Sequence, residues 1–187
     1  MTALADGKPR CSWANVASIY AAYHDTEWGV PLRGEVALFE RLCLESFQSG
    51  LSWLVILRKR EAFRQAFAGF DPQRVAAFCD ADVVRLLDDA GIVRNRAKIT
   101  ASIANARVVV GLDRPLDELL WSFAPDGAGK ARPATIDDVP AVTPESRAMA
   151  RDLKRLGFSF VGPTTCYALM QATGMVDDHV VGCWKAR

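Results

Sequence analysis

Long apolar runs are missing from this sequence, and so is any strong excess of one charge. No run approaches the roughly 18 residues of a membrane span, and the first residues lack the apolar stretch of a secretory signal. We therefore expect a soluble, cytoplasmic protein without a membrane partner. The formal net charge is only +1, so composition gives no argument for nucleic acid, and DNA binding would have to rest on local charge.

Cysteine and histidine are also scarce, with five and two residues respectively. An odd, scattered set of cysteines does not indicate a disulfide framework. Cys43, Cys79 and Cys166 lie in apolar, helical surroundings, which predicts three buried core thiols.

Alternating strand patterns are absent as well, whereas helical periodicity and helix punctuation recur along the chain. With 50% hydrophobic and 24% charged residues, the pattern predicts one all-α domain over 1–187 with seven to nine helices. Ile99, Ile103 and Val110 are expected to face the core, and the Gly- and Pro-rich segment 124–134 to form a surface loop. The predicted helices cover about 36–50, 52–67, 80–91, 95–110, 144–157 and 164–172, with a further start at Asp71-Pro72.

Four residues near the two ends of the chain have the chemistry of zinc ligands. His179 and Cys183 are spaced i and i+4, and twelve residues separate Cys11 from His24. Two Cys and two His suit tetrahedral zinc, and four protein ligands leave no open position, so such a site would be structural. Either pair alone arises easily by chance and is then more often a metal-free structural feature.

A glycine-punctuated turn over 156–164 joins two predicted helices. Gly162 would let backbone N–H groups approach a phosphate, and the helix that follows adds a favourable dipole. The preceding helix carries basic residues at helical spacing, which favour DNA but are equally typical of a solvated helix face. These are Arg147, Arg151, Lys154 and Arg155.

Glu45 lies in a mostly apolar stretch close to several aromatic residues. An arbitrary glutamate there is more often exposed on the polar side of its helix, and each aromatic alone is most simply a core residue. Together, aromatic walls and one carboxylate would suit a flat, cationic base. The aromatic residues are Trp13, Tyr20, Tyr23, Trp28 and Trp53.

Taken in order, the motifs of this chain resemble those of the bacterial 3-methyladenine DNA glycosylase I family, within the helix-hairpin-helix glycosylase superfamily. The resemblance covers nearly the whole chain beyond the first nine residues. The matching segments are residues 10–13, 20–31, 43–53, 89–92, 120–123, 157–167 and 178–183.

The resemblance implies a helix-hairpin-helix glycosylase fold, with the hairpin motif at about 144–172. A structural zinc ion would join the terminal segments 10–30 and 175–187, and no organic cofactor is implied. The implied zinc ligands are Cys11, His24, His179 and Cys183. The implied base-recognising, catalytic carboxylate is Glu45, in a pocket with Tyr23, Trp53, Trp13 and Tyr20. The implied DNA contacts are Gly50 and Leu51, which would fill the gap left by the flipped base, and Gly157, Gly162 and Thr164 of the hairpin.

Two positions refine this expectation. Asp177 stands where many superfamily members have a catalytic aspartate, and it is kept as a minor catalytic candidate. Thr164 stands where members with lyase activity have a Schiff-base lysine, which implies a monofunctional hydrolase. The expected partner is double-stranded DNA containing alkylated bases, bound by a monomer.

Two rival functions follow from the same residues. A non-catalytic, zinc-stabilised DNA-binding module would use the hairpin and need no buried carboxylate facing aromatic residues, so the environment of Glu45 discriminates it. A zinc hydrolase would need an open coordination position, which four protein ligands exclude.

Overall fold

The computed structural model describes residues 6–126 and 131–186, and this part of the chain is helical without any strand. The predicted all-α class is confirmed. Residues 1–5 and Arg187 of the predicted domain, and 127–130 of the predicted loop, lie outside the described residues. Nine α-helices are described: α1 (Ser18–Thr26), α2 (Glu35–Gln48), α3 (Trp53–Ala66), α4 (Pro72–Ala76), α5 (Asp80–Asp88), α6 (Arg96–Val110), α7 (Leu116–Trp121), α8 (Pro144–Arg155) and α9 (Pro163–Ala172). Short 3₁₀ turns cover Ser12–Val16, Ala68–Phe70 and Ile136–Asp138. Within these bounds, no helix has the length and apolar character that a bilayer crossing requires.

Local capping chemistry explains where several helices begin. The Asp71 side chain accepts hydrogen bonds from the backbone N–H groups of Gln73 and Arg74, with Pro72 at the first helical position. Asn95 caps α6 through Lys98 N, and Thr143 caps α8 through Ser146 N. These starts agree with the sequence prediction, because a cap is a contact between near neighbours in the chain.

Helix α2 lies at the centre of the fold, packed against α3, α6, α7 and α9. Six consecutive residues from Leu42 to Phe47 are buried, so neighbours surround this helix on all sides. Phe47 and Phe63 place their rings 4.6 Å apart across the interface between α2 and α3. Because α2 carries Glu45, the packing that builds the core also holds this carboxyl group in place.

Two sequence expectations about burial were wrong. Cys79 is exposed, because it is the cap residue that precedes α5 and not part of a packed helix face. Val110 is 42% exposed, whereas Val109 is 4% exposed. Near the C-terminal end of α6, the buried face of the helix runs through Ile103, Ala106 and Val109. The side chain of Val110 therefore lies outside this packed face.

Candidate functional site

An aromatic pocket of about 410 Å³ opens beside the buried end of α2. Its walls come from the first 3₁₀ turn, α1, α2, α3, α9 and the segment 136–141. All five pocket residues expected from the sequence line it: Trp13, Tyr20, Tyr23, Glu45 and Trp53. The fold thus brings together residues that lie up to 40 positions apart in the sequence.

The aromatic side chains support one another around the cavity. The Tyr23 and Trp53 rings lie 5.4 Å apart between centroids, and the Trp13 and Trp28 rings lie 5.1 Å apart in an edge-on arrangement. The Tyr20 hydroxyl accepts a hydrogen bond of 2.9 Å from the backbone N–H of Leu54 at the start of α3. These contacts hold the rings before any ligand arrives, which limits the entropy lost on binding.

Among the described residues that line the pocket, Glu45 is the only one with a carboxylate, and it is 5% exposed. Its carboxylate makes no hydrogen bond with any described residue, yet neither oxygen is among the buried polar atoms that lack a partner. Both oxygens are therefore accessible from the cavity. The alternative of an exposed glutamate on a polar helix face is excluded, because the side chain is buried.

Burial raises the pKa of the Glu45 carboxyl to about 7, against a smaller lowering by Arg41. Arg41 lies one turn earlier on α2, but its guanidinium donates hydrogen bonds to the Tyr23 hydroxyl at 3.1 Å and to Glu27 at 3.0 Å. The arginine is thus committed to other partners and leaves the Glu45 oxygens unoccupied. A cationic ligand in the pocket would relieve the desolvated carboxylate.

Several residues that line the pocket were not expected from the sequence as pocket residues. Tyr167, Gln171 and Ala168 come from α9, and Thr164 at the start of α9 also lines the cavity. Gln48 completes this set. Trp28, one of the aromatic residues that the sequence grouped with Glu45, also lines the cavity. No local signal marks the α9 residues.

Cys11, His24 and Cys183 form a buried cluster in which one ligand atom of each lies within 4.8 Å of the others. The Cys183 sulfur lies 3.4 Å from His24 Nε2. His179, the fourth expected ligand, is not in this group, but its ring centroid lies 4.9 Å from that of His24. Its Nε2 atom is buried without a hydrogen-bond partner in the described part of the chain, and a metal ion at this cluster would satisfy it.

Carboxylates orient both histidines of the cluster. His24 Nδ1 lies 2.8 Å from Asp25 Oδ1, and His179 Nδ1 lies 2.7 Å from Asp177 Oδ1. Such partners fix the tautomer that leaves Nε2 for a metal. Burial lowers the pKa of both imidazoles, which favours the neutral form that binds metals. Asp177 is engaged here and is not among the residues that line the pocket.

The His179 ring also packs closely against the backbone at Gly29. A side chain at Gly29 would place its Cβ 2.7 Å from His179 Cε1, and the backbone there has a φ of 73°. Only glycine fits both conditions. The donor set, the unpartnered Nε2 atom and this cradle all fit a bound metal ion.

The expected hairpin lies between α8 and α9, over residues 156–162. Gly157 has a φ of 100° after the end of α8, and Gly162 is the residue that precedes α9. The side-chain amide of Asn105 on α6 accepts a hydrogen bond of 2.8 Å from the N–H of Ser159 and donates one of 3.0 Å to the C=O of the same residue. The basic residues of α8 at 147, 151, 154 and 155 are exposed.

The other expected DNA contact, Gly50-Leu51, follows the C-terminal end of α2. Leu51 is 42% exposed, and Gly50 has a φ of 80°. Lys98 on α6 donates hydrogen bonds to the backbone carbonyls of Phe47 and Ser49, which holds the end of α2. Helix α6 therefore fixes both segments that were expected to meet DNA.

Comparison with known proteins agrees with this geometry. Residues 13–186 match the family model described as methyladenine glycosylase. DNA-3-methyladenine glycosylase 1 of Escherichia coli K12 is 47% identical over 177 residues, which span 93% of this chain and 95% of that protein.

Solved structures show the same fold. A crystal structure of 3-methyladenine DNA glycosylase I superposes with a TM-score of 0.91 at 46% identity, covering 96% of this chain and all of that one. A substituted 3-methyladenine DNA glycosylase I in complex with 3-methyladenine superposes with a TM-score of 0.88 at 34% identity, covering 95% of this chain and 98% of that one. The chain belongs to the methyladenine glycosylase family.

Proposed function

We propose that this protein is a DNA repair glycosylase that excises 3-methyladenine from alkylated DNA by hydrolysing the bond between the base and deoxyribose. The observation that carries this proposal is the Glu45 carboxylate, which is buried, without a hydrogen-bond partner among the described residues, and accessible from a pocket of aromatic rings. The relative that binds 3-methyladenine with the same fold supports this base as the ligand.

The chemistry requires little from the enzyme beyond binding and charge stabilisation. Adenine alkylated at N3 is cationic while attached to the sugar, so its glycosidic bond is already weak and the leaving base needs no added proton. Trp53 and Tyr23 stack on the flipped base, and Glu45 accepts hydrogen bonds from its edge and balances its charge. As the bond breaks, positive charge develops on the sugar, where the DNA phosphates and Glu45 stabilise it. Water then completes the hydrolysis.

Double-stranded DNA binds across the hairpin and the end of α2. Backbone N–H groups near Gly162 and the exposed basic residues of α8 meet phosphates, which position the protein without reading sequence. Leu51 fills the space that the flipped base leaves. Both segments are fixed by α6 through Asn105 and Lys98, which supports a preformed DNA surface. We further propose that the protein acts as a monomer in the cytoplasm.

The Cys/His cluster would hold a structural zinc ion, with Cys11, His24, His179 and Cys183 as its ligands. Zinc bound there would cross-link the two ends of the chain and contribute to folding stability. The proposed reaction takes no step at this cluster, because the pocket carboxylate supplies the charge.

The decisive test uses methylated duplex DNA and follows both released bases and strand integrity. Chromatography is expected to show free 3-methyladenine, with the strand intact until alkali cleaves the abasic site, since Thr164 replaces a Schiff-base lysine. Strand cleavage without alkali would contradict the monofunctional assignment. DNA binding without base release would favour the alternative of a non-catalytic, zinc-stabilised binding module.

A further inference from the structure

Gln171 on α9 lines the aromatic pocket with a half-buried side chain. Its amide nitrogen donates a hydrogen bond of 2.9 Å to Asp178 Oδ2. Its backbone carbonyl accepts a hydrogen bond of 3.0 Å from Gly29 N–H, which ties this turn of α9 to the segment after α1. The side chain is thus held at both its base and its tip.

Asp178 fixes which way round the Gln171 amide lies. This carboxylate is 1% exposed, and its Oδ2 atom also accepts a hydrogen bond of 2.6 Å from the Tyr167 hydroxyl. Burial raises the pKa of Tyr167, and the hydrogen bond to Asp178 raises it further, so this hydroxyl remains a donor. With two donors converging on one carboxylate oxygen, the NH₂ group of Gln171 faces Asp178, and its oxygen faces the other way.

The amide oxygen of Gln171 is left available to a ligand. It receives no hydrogen bond from any described residue. Among the described residues, the only buried polar side-chain atoms without a partner are Trp53 Nε1 and His179 Nε2. Gln171 Oε1 is therefore accessible, and the pocket that its side chain lines is where a base can reach it.

The geometry points to Gln171 as a specificity-determining residue whose amide oxygen accepts a hydrogen bond from the 6-amino group of 3-methyladenine, with Asp178 as the residue that positions it. This inference rests on the proposed function. Adenine presents a 6-amino donor where guanine presents a 6-oxo acceptor. A guanine lesion in the same orientation would bring two acceptors together and leave both unpaired, which is unfavourable in a desolvated pocket.

The test compares Gln171→Met with the wild type on methylated duplex DNA, measuring single-turnover release of 3-methyladenine and 3-methylguanine. Methionine keeps the length of the side chain and removes its hydrogen bonding. Release of 3-methyladenine should fall about tenfold, the effect of losing one hydrogen bond to the adenine edge. Release of 3-methylguanine should not fall and should rise to the extent that the opposed acceptors are removed. Gln65→Met, exposed on α3, is the matched control and should leave both rates unchanged.

Gln171→Glu tests whether the lower 3-methyladenine release of Gln171→Met reflects only a change in packing or stability. A glutamic acid can donate its proton to Asp178 and still present an oxygen to the pocket, so it should keep the wild-type ratio of the two released bases. An equal loss of both bases in Gln171→Met, or the same altered ratio in Gln171→Glu, would overturn the inference. If the wild type released no 3-methyladenine, the proposed function itself would fail; an unchanged ratio in Gln171→Met with an active wild type would reject only the role of Gln171.

Discussion

The aromatic pocket and the Cys/His cluster are neighbouring regions whose buried polar groups differ in their hydrogen-bond partners. In the cluster, a carboxylate orients each histidine, and Asp25 in turn accepts a hydrogen bond from Arg10 at 2.9 Å. In the pocket, the Glu45 carboxylate has no hydrogen-bond partner among the described residues and opens to the cavity. A buried cluster whose histidines are both oriented by carboxylates indicates a structural role, whereas an unpartnered carboxylate facing a cavity indicates a ligand.

The two regions share a wall. Trp28 lines the pocket, and its ring centroid lies 4.6 Å from that of His179. Trp13 also lines the pocket and lies 5.3 Å from the His24 ring. The cluster therefore supports the pocket through packing, and losing it should affect binding only indirectly. This difference can be tested by changing each region separately.

The largest effect is expected for Glu45→Gln. Removing the charge should lower the single-turnover release of 3-methyladenine by between about 10²- and 10³-fold, the range for one preorganised electrostatic group. The measurement is chromatography of bases released from methylated DNA. Glu61→Gln is the matched control, because Glu61 is on α3 with a side chain 71% exposed, and it should keep wild-type release. Near wild-type release by Glu45→Gln would contradict its assignment.

Cys183→Ala should act mainly on stability. Removing one ligand is expected to abolish stoichiometric zinc and lower the free energy of unfolding by about 3 kcal/mol, the typical scale of one covalent cross-link. Elemental analysis and denaturant unfolding measure the two quantities. Cys79→Ala removes an exposed thiol and should change neither. Full zinc retention with a strong loss of activity would argue against a structural cluster.

Leu51→Ala separates DNA engagement from base recognition. Because Leu51 is exposed, its truncation should change stability little, but it should lower excision from duplex DNA about tenfold by weakening the flipped state. Affinity for free 3-methyladenine, measured by tryptophan fluorescence, should stay unchanged. Val84→Ala, at a position 55% exposed on α5, is the control. Unchanged excision in Leu51→Ala would remove this residue from the DNA contact.

The smallest effect concerns stability against pH. Burial raises the pKa of Glu45 from its ordinary value of 4.5 to about 7, so between these pH values the folded state binds more protons than the unfolded state. Stability contributed by this group is present at low pH and is lost as pH rises through about 7. Glu45→Gln should therefore gain a few degrees in Tm relative to the wild type between pH 5 and pH 8. A constant difference in Tm would show that Glu45 is not desolvated.

Sequence patterns predicted most helices because their signals are local. The caps at Asp71, Asn95 and Thr143 involve residues two or three positions apart. Burial was less predictable where a helix ends, as Val110 shows. The prediction that Cys79 is buried was wrong because a cysteine next to apolar residues can also be the cap residue of a helix.

The pocket was only partly predictable from the sequence. Glu45 and the N-terminal aromatic residues are dense enough to be noticed together, although burial of Glu45 could not be decided from periodicity. Arg41 is spaced i−4 from Glu45, a signal that could have been used. Gln171 and Tyr167 reach the pocket through tertiary packing between α9 and α2, which no local pattern encodes.

The most direct test of this division of roles measures zinc content and 3-methyladenine release on the same preparation of Glu45→Gln. We predict one zinc ion per chain, as in the wild type, together with release lowered at least about 100-fold. A preparation that kept its zinc and excised 3-methyladenine at the wild-type rate would contradict the claim that the pocket carboxylate drives base excision while the metal cluster serves the fold.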